Sequence, residues 1–229
     1  MNIPSLLIMG AMFASAILSG AGLMPGGVAA EGELRTEAPV IGPLQENLTS
    51  PDAFSRGIGD WHFTMTAVAR YTLRGKLVAR DNYSGSTPDT LSPVDLSFAW
   101  GKLIEAPYED YVSYYKEPRH LNYHCHFPAG CPALNYSYIN GHSSNNHCIF
   151  ANESVQAAAE AVGIGDVVEI RGYLVDVRGV DSRGSTYTWN TSRTREDELE
   201  GACEIIWVEE VAQVSGAGIV EDMECRWGL

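Results

Sequence analysis

"WHFTMTAVARYTLRGKLVAR", residues 61–80, is the stretch on which the reading of the fold turns. Trp61, Phe63, Met65, Ala67, Ala69, Tyr71 and Leu73 alternate with mostly polar residues. Side chains two apart share one side of an extended chain, so the pattern predicts a strand with one buried face. Gly75 interrupts the run, which resumes as "KLVAR". A glycine inside a strand marks a bend, and the expectation is one long strand bent at Gly75. Further strands are expected at "DLSFAWGKLI" (95–104), "YEDYVSYYK" (108–116), "DVVEIRGYLVDV" (166–177), "STYTWNT" (185–191) and "CEIIWVEEVAQV" (203–214). One helix stands out, "ESVQAAAEAVG" (153–163), with Asn152 or Ser154 to cap its start and Gly163 or Gly165 its end.

A long bent strand, two shorter strands, a helix and then more strands is the order of an OB-type barrel. The fold class expected is mainly β: an OB-like β-barrel with one helix and a large loop insertion at about 117–151. An open sandwich of the same strands is the alternative.

Toward the N-terminus, Leu6–Met24 carries no charge over 19 residues. At ~1.5 Å per residue such a helix just crosses a hydrocarbon core of ~30 Å. It also fits a signal peptide, because "VAA" before Glu31 places small residues at the positions a signal peptidase reads. No Lys or Arg precedes Arg35, so charge bias does not set its orientation. The expected organisation is a signal peptide or membrane anchor over 1–30, a flexible tether rich in Pro, Gly and acidic residues over 31–59, and a single β-rich domain over 60–229. The chain is then extracytoplasmic, either secreted or held to the membrane through an uncleaved N-terminal segment.

Composition narrows the partners. The 229 residues are 45% hydrophobic and 19% charged, which is globular. Lys and Arg number 15 against 29 Asp and Glu, a net charge of −14 that repels phosphate backbones. The densest basic stretches, "RGVDSRG" and "TSRTRED", are diluted by acids, so no nucleic-acid partner is expected. Sequons at Asn47, Asn82, Asn135, Asn152 and Asn190 use five of the ten asparagines, an excess that fits N-glycosylation of exposed loops or simply turn chemistry.

"PVDLSFAWG", "HSSNNHCIFA", "GDVVEIRGYLVDV" and "TSRTREDELEGACEIIWVE" together resemble an uncharacterised family of exported or membrane-anchored prokaryotic proteins, over about Trp61 to Glu209. The resemblance rests on three patterns. D-L-x-x-x-W-G falls on Asp95, Trp100 and Gly101; H-S-x-N-x-H on His142, Asn145 and His147; T-R-x-D followed by G-A-C-E on Arg195, Asp197, Cys203 and Glu204. It implies no known activity. Cys148, Phe150 and the segment "HCHFPAGC" depart from the pattern.

Trp100, Arg119, Asn145, Arg195, Asp197 and Glu204 are the candidate site residues outside the histidines. These are the residue types from which acid–base and metal sites are built. They serve structure equally well: Arg195 with Asp197 and Glu204 as an ion-pair network, Asn145 as a turn former, Trp100 as a core plug. No strand-turn-helix elbow surrounds Ser143 or Cys203, and no Walker-type loop or dinucleotide fingerprint occurs.

"HLNYHCHFPAGCPALNYSYINGHSSNNHC" (120–148) gathers five of the six histidines and three of the five cysteines. His124 and His126 are two apart and share a side if the chain is extended there, with Cys125 on the other. Joined by His142 and His147, they offer four imidazoles suited to zinc or copper. In an oxidising compartment a local disulfide between Cys125 and Cys131 is expected, and a second between Cys148 and Cys203 leaves Cys225 free. Two functions follow as expectations: a non-enzymatic, envelope-displayed domain binding an unknown protein or small ligand, or alternatively a metal-dependent hydrolase or redox site in the insertion.

Overall fold

The computed structural model describes residues 42–126, 134–194 and 203–214; the uncharged N-terminal segment, Cys131, Arg195, Asp197 and Cys225 lie outside them. The described chain is mainly β. Two short strands, β1 (Gly42–Asn47) and β2 (Ala53–Ile58), precede the long β3 (Trp61–Asn82). There follow α1 (Thr87–Leu91), β4 (Val94–Ala99), two single 3-10 turns, and a hairpin of β5 (Val112–Glu117) and β6 (His120–Cys125). The chain continues through α2 (Tyr136–Gly141), β7 (Ser143–Phe150), α3 (Glu153–Ala161), β8 (Val167–Asp181), β9 (Thr186–Trp189) and β10 (Glu204–Gln213).

Five strands pair in a closed circuit, β3–β4–β7–β10–β8 and back to β3. Every pairing is antiparallel except β7 with β10, which is parallel. β3 serves this circuit by being long enough to pair with β8 along one part and β4 along another. Its alternation of buried and less buried side chains persists through Gly75, so the strand is continuous there rather than interrupted. A Cβ at Gly75 would stand 3.0 Å from the Ala99 carbonyl oxygen and 3.1 Å from the Phe98 Cβ, so glycine permits a close approach of β4. The pairing shifts register instead between Ala67 and Ala69 and between Leu77 and Ala79, and bulges of this kind bend a strand.

Inside the circuit lies the main apolar core, built from Leu73, Leu96, Phe98, Phe150, Ile170 and Ile206 among others. Burying each such side chain stabilises the fold by about 1.5–3 kcal/mol. α3 covers this core with Ala159, and Val162 just beyond it joins in. The Asn152 side chain accepts the Val155 amide and starts the helix as its sequence predicts. Two further apolar clusters lie on the outward face. One gathers Met65, Leu91, Ile149, Ile205 and Trp207, the other Leu103, Tyr108, Leu134 and Ile139.

Three expectations change. Residues 42–58, assigned to the tether, form β1 and β2, both paired with β3. The insertion expected over 117–151 contains β7, a fully buried strand of the circuit, so the elaboration is the stretch between β4 and β7. The strands expected at 95–104 and 108–116 are each half 3-10 turn. No helix among the described residues is long and apolar enough to cross a membrane. All five sequon asparagines are exposed.

Candidate functional site

β4 and β7 are buried on both faces, yet β7 reads Ser-Ser-Asn-Asn-His-Cys along most of its length. Pairing explains how this polar sequence is tolerated. Ser97 stands opposite Asn145 and Asp95 opposite His147, so four polar side chains form one outward patch. On the other side of β7, Ile205 pairs with His147 and Glu204 with Asn146, which sets Cys203 beside Asn145 on the same patch.

The β5–β6 hairpin brings the patch its cations. Its two-residue turn is Pro118–Arg119, closed by the Glu117–His120 pair. Arg119 has φ 66°, a left-handed conformation that costs a residue with a Cβ about 1–2 kcal/mol. Its contacts offset that strain. The guanidinium reaches Asp95 Oδ1 at 2.9 Å and Asp89 Oδ1 at 2.7 Å, and lies 3.6 Å above the Tyr83 ring. Its main chain donates to the Tyr83 hydroxyl at 2.9 Å and accepts from Asn145 Nδ2 at 3.0 Å.

Asp95, with no solvent exposure, is the centre. Oδ1 accepts from His147 Nδ1 at 2.9 Å as well as from Arg119. Oδ2 accepts from the Tyr83 hydroxyl at 3.1 Å and Asn145 Nδ2 at 3.4 Å, with Lys116 Nζ at 3.8 Å. Lys116 Nζ also donates to Asn145 Oδ1 and, at 3.4 Å, to Ser97 Oγ. Burial opposes ionisation of Asp95, but the hydrogen bond and charge of His147 and the charges of Arg119 and Lys116 outweigh it and hold the carboxyl below its usual range. Burial lowers the Lys116 ammonium, a shift the Asp95 charge only partly reverses. Burial likewise pushes the Tyr83 hydroxyl up. An ionised carboxylate only accepts, so the hydrogen between the pair sits on His147 Nδ1. Trp189 walls the cluster, 4.6 Å from the His147 ring and 5.9 Å from the guanidinium. Tyr83 is shared with a neighbouring cleft of about 400 Å³ lined also by Arg80, Asn82, Gln156 and Glu160.

Of the residues singled out by sequence, Arg119, Asn145 and His147 meet here. The rest do not. Trp100 is a core side chain, packed where a Cβ on Gly42 would come within 2.4 Å of its ring nitrogen. Glu204 is buried on the inner face beside Asn146 in register. His142 stacks on Tyr138 at 3.8 Å, and its Nδ1 pairs with the Tyr138 carbonyl. His124 and His126 are exposed, and the ring of His124 stacks on Tyr115.

The four imidazoles are not gathered at one place: His147 turns to Asp95, His142 to α2 and His124 to the hairpin. Among the described residues no three His, Cys, Asp or Glu side chains stand where they would hold a metal ion. The Cys148–Cys203 bridge is corrected as well. Cys148 is fully buried in the inner core and Cys203 sits on the outer patch, and neither is in a disulfide. Cys125 is also a thiol outside any disulfide, and Cys131, its expected partner, lies outside the described residues. Asp89, Ser97, Lys116, Tyr83 and Trp189 were missed, since nothing in their local sequence marks them.

No family model, curated protein or solved structure matches the chain.

Proposed function

We propose that the chain is an extracytoplasmic ligand-binding domain built on an OB-type barrel, with its binding centre at the Asp95 cluster. The observation that carries this reading is convergence. Asp95, Asn145 with His147, and Cys203 come from three separate motifs of the chain and meet in one charged, mostly buried patch. Strand order and the parallel β7–β10 pair support the barrel, as does α3 lying between β7 and β8. In that plan the outer face of the second and third strands, with the loops after the first and fourth, holds ligands. Those parts here are β4 and β7, the loop carrying Tyr83 and Asp89, and the segment carrying Trp189. Fold analogy alone does not supply function, and the patch adds chemistry to it. An aromatic wall beside fixed amide, carboxylate and guanidinium groups suits a small polar ligand, and the acidic surface turns away polyanions. The resemblance to exported proteins, the uncharged leader and the exposed sequon asparagines support placement outside the cytoplasm, with glycans on surface loops.

Thermal-shift titration of the purified chain against neutral sugars, amino acids and polyamines tests the site. A ligand that raises the melting temperature of the wild type and loses its effect in Trp189→Ala is the expected result. The reading fails if every such ligand acts equally on Trp189→Ala and Asn145→Ala, or if none acts at all. A reporter active only outside the cytoplasm, fused behind Leu229, tests the placement: it should be active.

A further inference from the structure

Cys203, the residue just before β10, His147 on β7 and Asp95 on β4 lie on one face and in that spatial order, since the three strands are neighbours. The carboxylate holds His147 Nδ1 at 2.9 Å from the β4 side. Nε2 is therefore on the far side of the imidazole from the carboxylate, with β10 as the next strand. Cys203 stands beside Asn145, two residues before His147 on β7. Diagonal neighbours in a sheet stand about 7–8 Å apart with their Cβ atoms somewhat closer, a gap that an imidazole and a sulfur leaning together, or one water between them, close. Asn145 Nδ2 points a hydrogen at the sulfur from 3.8 Å, and the thiol faces the Arg119 carbonyl oxygen at 4.0 Å. Cys203 is half-buried and Cys148 wholly buried, so the two thiols differ in access.

We propose that Cys203 is the nucleophile of an acyl-transfer site, with His147 as its base and Asp95 as the group that orients the imidazole. Nucleophile, base and orienter in sequence, with an amide donor beside the sulfur, is the constellation that acyl transfer uses. With an activated ester the step balances without another reactant. The sulfur forms a bond to the carbonyl carbon and its proton passes to Nε2; the carbon–oxygen bond to the alcohol breaks, and the departing alcohol takes that proton. S-acyl-Cys203 and free alcohol are the products. Burial lowers the Lys116 ammonium, and the charge of Cys203 acts against that shift, so a cation stands within the field of the sulfur. This inference goes beyond ligand binding and does not depend on it.

Two reagents test it on the full chain, with peptide mapping to separate the thiols. Iodoacetamide should alkylate Cys203 with a rate that rises at a pH below the ordinary thiol value of about 8.5. His147→Gln should move that profile toward the ordinary value and slow alkylation at neutral pH at least tenfold, with an unchanged circular dichroism spectrum. p-Nitrophenyl acetate should leave its acetyl group on the Cys203 peptide, and Cys203→Ser should abolish the adduct. An ordinary thiol profile in the wild type, an unchanged rate in a folded His147→Gln, acetylation elsewhere only, or Cys203 found in a disulfide in the native chain would each overturn the proposal. If His147→Gln does not fold, the wild-type profile and the site of acetylation decide.

Discussion

Asp95 sits where five side chains, His147, Arg119, Tyr83, Asn145 and Lys116, approach two carboxylate oxygens that have no solvent exposure. Removing one member of a buried ion network strands the others, and breaking a buried pair costs about 3–5 kcal/mol. Arg119 keeps Asp89 and some solvent, so Asp95→Asn is expected to cost about 3 kcal/mol, at the lower end of that range, in urea unfolding. The pH dependence has a fixed sign. The folded carboxyl titrates below its unfolded value, so its contribution is complete above about pH 4 and is lost as pH falls through the folded pKa. The gap between the wild type and Asp95→Asn should therefore be flat from neutrality down to about pH 4 and close below it. A gap that widens on acidification would refute the assignment. Cys148 gives a second check, because burial pushes its thiol up and covers it. It should resist alkylation in the folded chain and react on unfolding.

The hairpin is the element that makes the patch a site, since β5 and its turn supply both Lys116 and Arg119. Arg119→Ala loses the guanidinium anchor and keeps the left-handed backbone; Arg119→Gly loses the anchor and relieves the backbone. Both should be less stable than the wild type, with the glycine variant ahead of the alanine variant by about 1 kcal/mol. Equal urea midpoints would mean that the turn carries no strain. Gly172 on β8 tests the circuit at its β10 seam. A Cβ there would stand 1.9 Å from the Trp207 carbonyl oxygen, a backbone atom with no rotamer to escape into, beside the bulge between Val208 and Glu210. Gly172→Ala should destabilise by about 1–3 kcal/mol or more, read from the melting temperature. β7 shows why part of this was illegible in the sequence. "SSNNHC" has no apolar alternation and its Ser-Asn run reads as turn chemistry, yet it is a strand because β4 and β10 take up its backbone hydrogen bonds and its side chains pair across the ladder. β3, whose buried face is its own alternation, needed no such help.

Across the molecule the dominant long-range term is charge. A net −14 is self-repulsive, and salt shortens its reach to roughly 8–10 Å at physiological strength. The melting temperature should rise as sodium chloride is raised from low to physiological concentration, and the chain should not be retained on immobilised DNA even at low salt. A falling melting temperature would mean that attractive pairs such as Arg74–Glu169 outweigh the repulsion. The circuit also closes through contacts distant in sequence, above all β3 with β8. Loop-closure entropy precedes such contacts, so the domain belongs with the slower-folding β topologies.

Local chemistry was enough for the mainly β class, the long strand at 61–82, the capped helix at 153–161 and most later strands, because alternation and caps act between residues two to four apart. It also singled out Arg119, Asn145 and His147, as residue types from which acid–base and metal sites are built. Only the tertiary structure decided which partners. It sent His142 to Tyr138 and His147 to Asp95, put Cys148 and Cys203 on opposite faces of the sheet, and recruited Tyr83, Lys116 and Trp189 from segments with no signal of their own. The reason is physical: a side chain's neighbours across a sheet are set by register and strand order, and both are fixed by pairings between stretches of chain dozens of residues apart.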